Sequence, residues 1–398
     1  MHPAEEIRGV KSNKLSGKKI ILGVTGSIAA VETIKLAREL LRHGAEVIPV
    51  MTKSATKIIH PDSLWFATGK KPIVELTGAA EHVSYCGRVK NPADLLLICP
   101  CTANTISKIA HGIDDTSVTT FATTAIGSNI PILIIPAMHL SMYDHKIIQK
   151  NIKICQNVGI SFIEPNIEKN KAKLPDIEKI VSYTIRQLIQ KDFMNKNILI
   201  IGGPTAEKID DIRILTNKSS GKTAQTLANQ SFFMGANLTI WYGYASEKIP
   251  DYLNKMDFRT INDLEKLIEK TNLEKFDYIL VCAAIADYIP LKQKGKIKSG
   301  KKDLIIQLKP SNKILPKIRK KSPNSVIIGF KVEDNKINLD KKSKDLMNKY
   351  NLDYVIGNTI SGFSENKNEI WIYEKNGKIS HKKDTKSNLA EYILNIIK

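Results

Sequence analysis

What most constrains this 398-residue chain is a repeated alternation of short apolar, β-branched runs with stretches of helical spacing. In the first half the runs are Lys19–Val24, Glu46–Met51, Ala93–Cys99 and Ile130–Ile135. In the second they are Ile198–Ile201, Leu238–Trp241, Tyr278–Val281, Val326–Ile328 and Tyr354–Ile356. Strands that alternate with helices in this way belong to parallel α/β sheets. Between the first two runs, AVETIKLARELLRHG sets Ile34, Ala37, Leu40 and Leu41 on one helical stripe and stops at Gly44, a C-cap residue. That segment is one βαβ unit. The second half opens as the first does, with a strand running into Gly202-Gly203, a helix expected over Gly221–Met234, and a further strand. Late in the chain, Glu369–Tyr373 and Lys378–His381 read as a hairpin turning across Lys375–Gly377.

A chain this long exceeds one ordinary core, so two domains are expected. The weakest stretch for regular structure is the polar, lysine-rich segment Pro165–Pro175, followed by a helix to about Gln190 and then the polar KDFMNKN. The boundary is therefore expected near Lys191, giving domains 1–190 and 191–398. Composition, 42% hydrophobic and 25% charged, fits a globular protein. No apolar run has the length of a signal peptide or a membrane span, which points to the cytoplasm. The five cysteines are odd in number and lack paired spacing, so neither a disulfide framework nor a zinc site is expected. Net charge is +20: 23 basic against 16 acidic residues in 1–190, and 37 against 24 in 191–398. An excess of that sign favours anionic partners, phosphate-bearing substrates among them. Nucleic acid is the rival reading of the charge. No basic helix, zinc pattern or aromatic-basic interleaving supports it, and aromatic residues make up only 6% of the chain.

Three places in the first half carry chemistry. In GVTGSIAA, Gly23 and Gly26 straddle a strand-to-helix turn, where backbone N–H groups and the hydroxyls of Thr25 and Ser27 can hold a phosphate. In ICPCTANT a strand stops at Pro100, and Thr102, Ala103 and Asn104 then open a helix. In IIPAMHLSMY, Pro136 ends a strand and Ala137, Met138 and His139 line its exit. Open α/β sheets bind ligands at such strand ends.

Over about residues 18–190, GVTGSIAA, His82, PCTANT and PAMHLSMY together resemble, in order, the homo-oligomeric flavin-containing cysteine decarboxylases. The resemblance implies a flavodoxin-like flavoprotein domain with FMN on Thr25, Gly26 and Ser27 and on Thr102, Ala103 and Asn104. It makes His82 the active-site base and puts Met138 and His139 at the substrate. The implied chemistry is oxidation of the thiol of 4'-phosphopantothenoylcysteine to a thioaldehyde, loss of carbon dioxide, and return of the electrons to the enethiol. Two departures stand out. His139 replaces an asparagine common in the family. KNKAKLPDI stands where bacterial members carry a glycine-rich flap with a proton-donating cysteine, so that donor is unassigned, with Cys101 and Cys155 as stand-ins. The flapless pattern is similar to the archaeal branch.

In the second half, TNKSSGKT suggests a P-loop, but Thr216 stands where the first glycine is required. Lys292–Lys302, KQKGKIKSGKK, would, if extended, set Lys292, Lys294, Lys296 and Lys298 on one face, a comb suited to a triphosphate. GGPTAEKIDDIRILTNKSSGK, VCAAIADY, KIKS, IIGFKVE and NLDYVIGN resemble the phosphopantothenate-cysteine ligases across about residues 196–398. The resemblance implies a second Rossmann-like, three-layer domain that uses CTP to activate 4'-phosphopantothenate as an acyl-cytidylate, which L-cysteine then attacks. Asn217 would act on that intermediate and Lys296 on the developing phosphate charge. Ala283 and Asp287 would lie at the nucleotide and Phe330 against the base, flanked by Asn312, Lys313 and Ile314. Lys344 and Lys349 would reach the triphosphate. Mg2+ is expected with ligands unknown, as is a homo-oligomer of decarboxylase trimers and ligase dimers, reaching a dodecamer. No nucleic-acid or membrane partner is expected.

Overall fold

The computed structural model describes residues 2–300, 303–360 and 367–398. The chain divides into two compact units, Met1–Ile189 and Gln190–Lys398.

The first unit is built on four fully developed strands, β1 (Lys19–Val24), β2 (Glu46–Met51), β3 (Leu95–Cys101) and β4 (Ile132–Pro136), with a two-residue edge strand Ser161–Phe162. All are parallel, in the order β2-β1-β3-β4-Ser161–Phe162. Their continuous burial explains the continuous apolar runs: both faces of such a sheet are covered. On one face Ile21, Leu96, Ile98, Ile132 and Ile134 pack with Ile106, Val118, Phe121 and Ile152 from three helices. Side chains alternate along each strand, so Ile20, Leu22 and Val24 turn to the other face. The crossover after β1 begins as a 3-10 turn, Ile28–Glu32, before the helix Thr33–Arg42. Its buried stripe is Thr33, Leu36, Ala37, Leu40 and Leu41, so Leu36 belongs where Ile34 was expected. Each fully buried leucine contributes about 2 kcal/mol of apolar transfer. Gly44 ends the helix at φ +98, with Ser16 N only 2.9 Å from where a Cβ would stand. A larger residue fits neither the conformation nor the space.

The segment Pro165–Pro175 corrects the sequence expectation. Asn166–Glu168 and Lys171–Lys173 form an antiparallel hairpin, and the second strand pairs with Met138–His139 just beyond β4. Lys169 and Asn170 turn it with φ +44 and +60, the left-handed pair of a tight hairpin turn.

The second unit has one eight-stranded sheet in the order Asn254–Asp257, Asn237–Tyr242, Asn197–Gly202, Tyr278–Val281, Val326–Glu333, Tyr354–Thr359, Lys367–Glu374, Ile379–Thr385. The first six strands are parallel, and the last two are the antiparallel hairpin at the edge. One face buries Leu199, Ile201, Trp241, Ile279 and Ile327 under helices carrying Ile261, Leu264, Ile318 and Met347. The helices Lys222–Phe233 and Lys386–Ile397 pack together, burying Leu227, Leu389 and Ile393. Both units are thus Rossmann-like α/β folds. Among the described residues no helix is long and apolar enough to cross a membrane.

Candidate functional site

In each sheet the chain leaves one central strand in one direction and its neighbour in the other. Ligands of open α/β sheets settle in the crevice at the C-terminal ends of those two strands.

In the first unit these strands are β1 and β3, and Thr25 sews their exits together. Its hydroxyl donates to Pro100 O at 2.8 Å and accepts from Thr102 N at 3.0 Å, and the side chain is 1% exposed. Thr25 therefore fixes the two loops instead of presenting its hydroxyl to a ligand. Thr102 caps the helix Ala103–Ala110 by accepting from Thr105 N, Ala103 is buried, and Asn104 stands exposed in the first turn. A Cβ on Gly26 would lie 2.6 Å from Ser54 Cβ, so the exit of β2 closes on the same turn. That third loop, Thr52–Ser54, has no glycine motif to mark it.

Beside these loops lies a cleft of about 450 Å³ whose walls come from Ser27–Ala29 and Glu32, from Ala137–His139, and from Lys171–Leu174 of the hairpin. The size and the apolar lining fit a tricyclic cofactor. Ile28, 77% exposed, is available as its wall. His139 Nδ1 accepts from Ser141 N at 3.4 Å as a helix N-cap, which leaves the proton of the neutral ring on Nε2. Lys171 sits directly across the strand pair from His139. Lys173 bonds Glu168 at 2.6 Å and Glu32 bonds Lys35 at 3.1 Å, whereas Lys171 has no such partner among the described residues.

His82 is not in this cleft. It lies in the first turn of the helix Glu81–Cys86, and its buried Nδ1 has no hydrogen-bond partner among the described residues. Cys101 and Cys155 do not line this cleft either. Both are fully buried outside the cleft, and burial pushes Cys155 up to about 11 and Cys101 well above the ordinary thiol range.

In the second unit the reversal falls between Asn197–Gly202 and Tyr278–Val281. A Cβ on Gly202 would stand 2.1 Å from Ala224 Cβ, so glycine is what lets the helix Lys222–Phe233 lie close on the strand end. The cleft there, about 120 Å³, is formed by Gly203, residues 219–224, residues 282–284 and the side chains of Phe330, Val332, Asn358, Asn368 and Lys386. Ala283 and Phe330 thus meet in one site. Asn217 stands beside it, its Nδ2 donating to Ala284 O at 3.0 Å.

The remaining expected residues are spread more widely. Asp287 is exposed and ion-paired with Lys313, Asn312 bonds Glu265 at 3.0 Å, and Ile314 is buried at a helix start. Lys344 and Lys349 are exposed on the helix Lys336–Tyr350 and do not line the cleft. The lysine comb does not form. Residues 291–300 are not a strand, and Gly295 turns them with φ +72. Lys292 pairs with Asp211 at 2.7 Å, Ile297 is buried and Lys296 is exposed; Lys301 and Lys302 lie outside the described residues. Sequence reasoning missed Lys386, Asn358 and Asn368. Lys222 was in view only through the rejected P-loop match.

The fold and the two switch-point clefts define a two-domain Rossmann-like α/β protein with a ligand cleft in each domain. Residues 9–189 match the Flavoprotein family and residues 193–398 the DNA/pantothenate metabolism flavoprotein C-terminal domain family. The chain is 42% identical to the coenzyme A biosynthesis bifunctional protein CoaBC of Thermococcus kodakarensis, over 98% of this chain and 97% of that protein. It is 38% identical to the Methanocaldococcus jannaschii CoaBC over 100% of this chain and 98% of the relative. Among solved structures, the C-terminal domain of a CoaBC protein aligns with 52% of this chain and 96% of its own, at 25% identity and a TM-score of 0.45. The chain belongs to the CoaBC family of bifunctional coenzyme A biosynthesis proteins.

Proposed function

We propose that this chain makes 4'-phosphopantetheine in two steps. Residues 191–398 use CTP to join cysteine to 4'-phosphopantothenate, and residues 1–190, with FMN, decarboxylate the resulting 4'-phosphopantothenoylcysteine. The observation that carries the reading is a ligand cleft at the switch point of each sheet, in a chain that matches the bifunctional family end to end.

In the first unit, Ser27 and the first turn at Asn104 would hold the FMN phosphate, and Ile28, Ala29 and Met138 would wall the ring. When bound, FMN supplies the reversible two-electron oxidation that makes carboxylate loss easy. His139 Nε2–H would bind the leaving carboxylate in place of an amide, and the Asn166–Lys173 hairpin would exclude water from the cleft. The carbon that loses carbon dioxide must gain a proton. Among the described residues that line the cleft, Lys171 is a cation without an ion-pair partner, and we assign the proton to it. His82, absent from the cleft of its own subunit, would act on the thiol from a neighbouring copy. This supports the trimer, with dimers of the second unit building the larger assembly.

In the second unit, Phe330 would pack on the base with Ala283 beside the nucleotide, while Asp287 and Asn312–Ile314 lie outside the cleft lining and take no role in this reading. Asn217 would steady the acyl-cytidylate and Lys296 the phosphate charge that develops as pyrophosphate leaves. Among the described residues no group of three His, Cys, Asp or Glu could hold a metal. In this reading Mg2+ arrives on the triphosphate, and no step is assigned to it. Cytoplasmic action follows from the reading.

Incubating the pure protein with 4'-phosphopantothenate, cysteine, CTP and Mg2+ and following masses tests the proposal. 4'-Phosphopantetheine is expected only when all four are present. A colourless protein giving no CTP-dependent product would overturn it.

A further inference from the structure

The ligase cleft continues into a second hollow, of about 40 Å³, which shares Thr223, Phe330, Asn358, Asn368 and Lys386 with it. The first compartment is polar. The second is walled by apolar side chains, among them Leu227, Ile356, Leu389 and Ile393. Lys386 stands on the border between them, the first residue of the C-terminal helix Lys386–Ile397. Its backbone is fixed there. Leu389, Ala390, Ile393, Leu394 and Ile397 are buried, and the Thr385 side chain caps the helix by accepting from Asn388 N at 3.3 Å.

The charge at this border is unbalanced. The neighbouring Lys222 ammonium is held by Gln225 Oε1 at 2.9 Å and Glu247 at 3.4 Å. Lys386 makes no hydrogen bond or ion pair among the described residues. Burial lowers its pKa, repulsion from Lys222 adds to this, and Glu247 opposes it. A partly desolvated cation beside a second cation is unfavourable in the protein alone. A multiply charged anion with several acceptor oxygens would satisfy both lysines as well as the hydroxyls of Ser219, Ser220 and Thr223 in the same cleft.

We propose that Lys386 is a phosphate-binding residue of the nucleotide cleft, reaching from the C-terminal helix to a triphosphate whose base lies against Phe330. The inference rests on the ligase reading and adds to it a contact made by the last helix of the chain. It predicts that the loss on removing the ammonium grows with the number of phosphates.

The test is calorimetric titration of the full-length protein with CTP and with CMP, both with Mg2+ and without 4'-phosphopantothenate. Lys386→Gln is expected to weaken CTP binding about tenfold or more and CMP binding much less, while Lys386→Arg keeps most of the affinity. Decarboxylation of supplied 4'-phosphopantothenoylcysteine and the melting temperature of Lys386→Gln report folding independently and are expected to stay close to wild type. CTP affinity within twofold of wild type in Lys386→Gln, or equal losses for CTP and CMP, overturns the assignment. Wild-type protein that binds neither nucleotide overturns the ligase reading itself.

Discussion

Asp210 shows how one buried carboxylate places a lysine it never touches. The residue is 1% exposed, and it accepts from Ile212 N at 2.8 Å, Arg213 N at 2.6 Å and Ile297 N at 3.0 Å, as well as from the Arg213 guanidinium. Asp211 beside it takes Gly295 N at 2.8 Å. Lys296 is thus held between two anchored residues, and its loop needs no strand. The same bonds, led by the one from Ile297, hold the Asp210 carboxyl well below the ordinary aspartate range. A folded pKa below the unfolded one adds stability in full above the ordinary value of 3.8, and that stability is lost as pH falls beneath it. Asp210→Asn is therefore expected to lower the melting temperature at pH 7, with the gap to wild type closing in strong acid. Ligation should fall by about tenfold or more as Lys296 loses its position, with decarboxylation unchanged. A variant with a pH-independent gap and full ligase activity would remove Asp210 from this role. Thr25→Val makes the matching test in the first unit. It strands the Thr102 N–H, at about 1–3 kcal/mol, while Pro100 O keeps the backbone N–H of Thr25 at 3.3 Å. Denaturant melts and the flavin-to-protein absorbance ratio should both drop, and Thr25→Ser should restore them.

At the scale of elements, legibility followed apolarity. All nine apolar runs are strands, because their burial in a covered parallel sheet is written directly into continuous β-branched sequence. Val326–Ile328 extends to Glu333 because residues past the apolar core still pair with Tyr354–Thr359. The late hairpin turns where Asn376 and Gly377 permit it. What could not be read was structure held from outside the segment. KNKAK has no apolar alternation, and its strand is held between Asn166–Glu168 of its own hairpin and Met138–His139 from outside the segment. Lys386 likewise joins the ligase cleft only because the C-terminal helix packs on Lys222–Phe233, a contact across more than 150 positions with no local signal. The hairpin matters because it brings Lys171 opposite His139. Lys171→Met should allow carbon dioxide release but stall before the final proton. Anaerobic single turnovers followed by mass spectrometry should then accumulate the enethiol, two hydrogens lighter than 4'-phosphopantetheine. Normal product with no lighter species would return the proton to another donor.

At the scale of the molecule, each unit carries a complete sheet with helices on both faces and a cleft at its own reversal point. Each core is large. Ile21, Leu96, Phe121 and their neighbours close one, and Leu199, Trp241, Ile279 and their neighbours close the other. Units of about 190 and 209 residues lie within the size range in which a single core sustains itself. Chains cut between Ile189 and Gln190 are therefore expected to fold separately, each with a cooperative melt. The first should be yellow and decarboxylate supplied 4'-phosphopantothenoylcysteine. The second should be colourless and stop at that compound when given 4'-phosphopantothenate, cysteine, CTP and Mg2+. Mixing the two should recover 4'-phosphopantetheine from the starting materials, because the intermediate is a small molecule that can diffuse between separate clefts. If either half folded but stayed inactive until the other was added, its site would draw on residues beyond its own unit, and the assignment of one reaction to each sheet would fail.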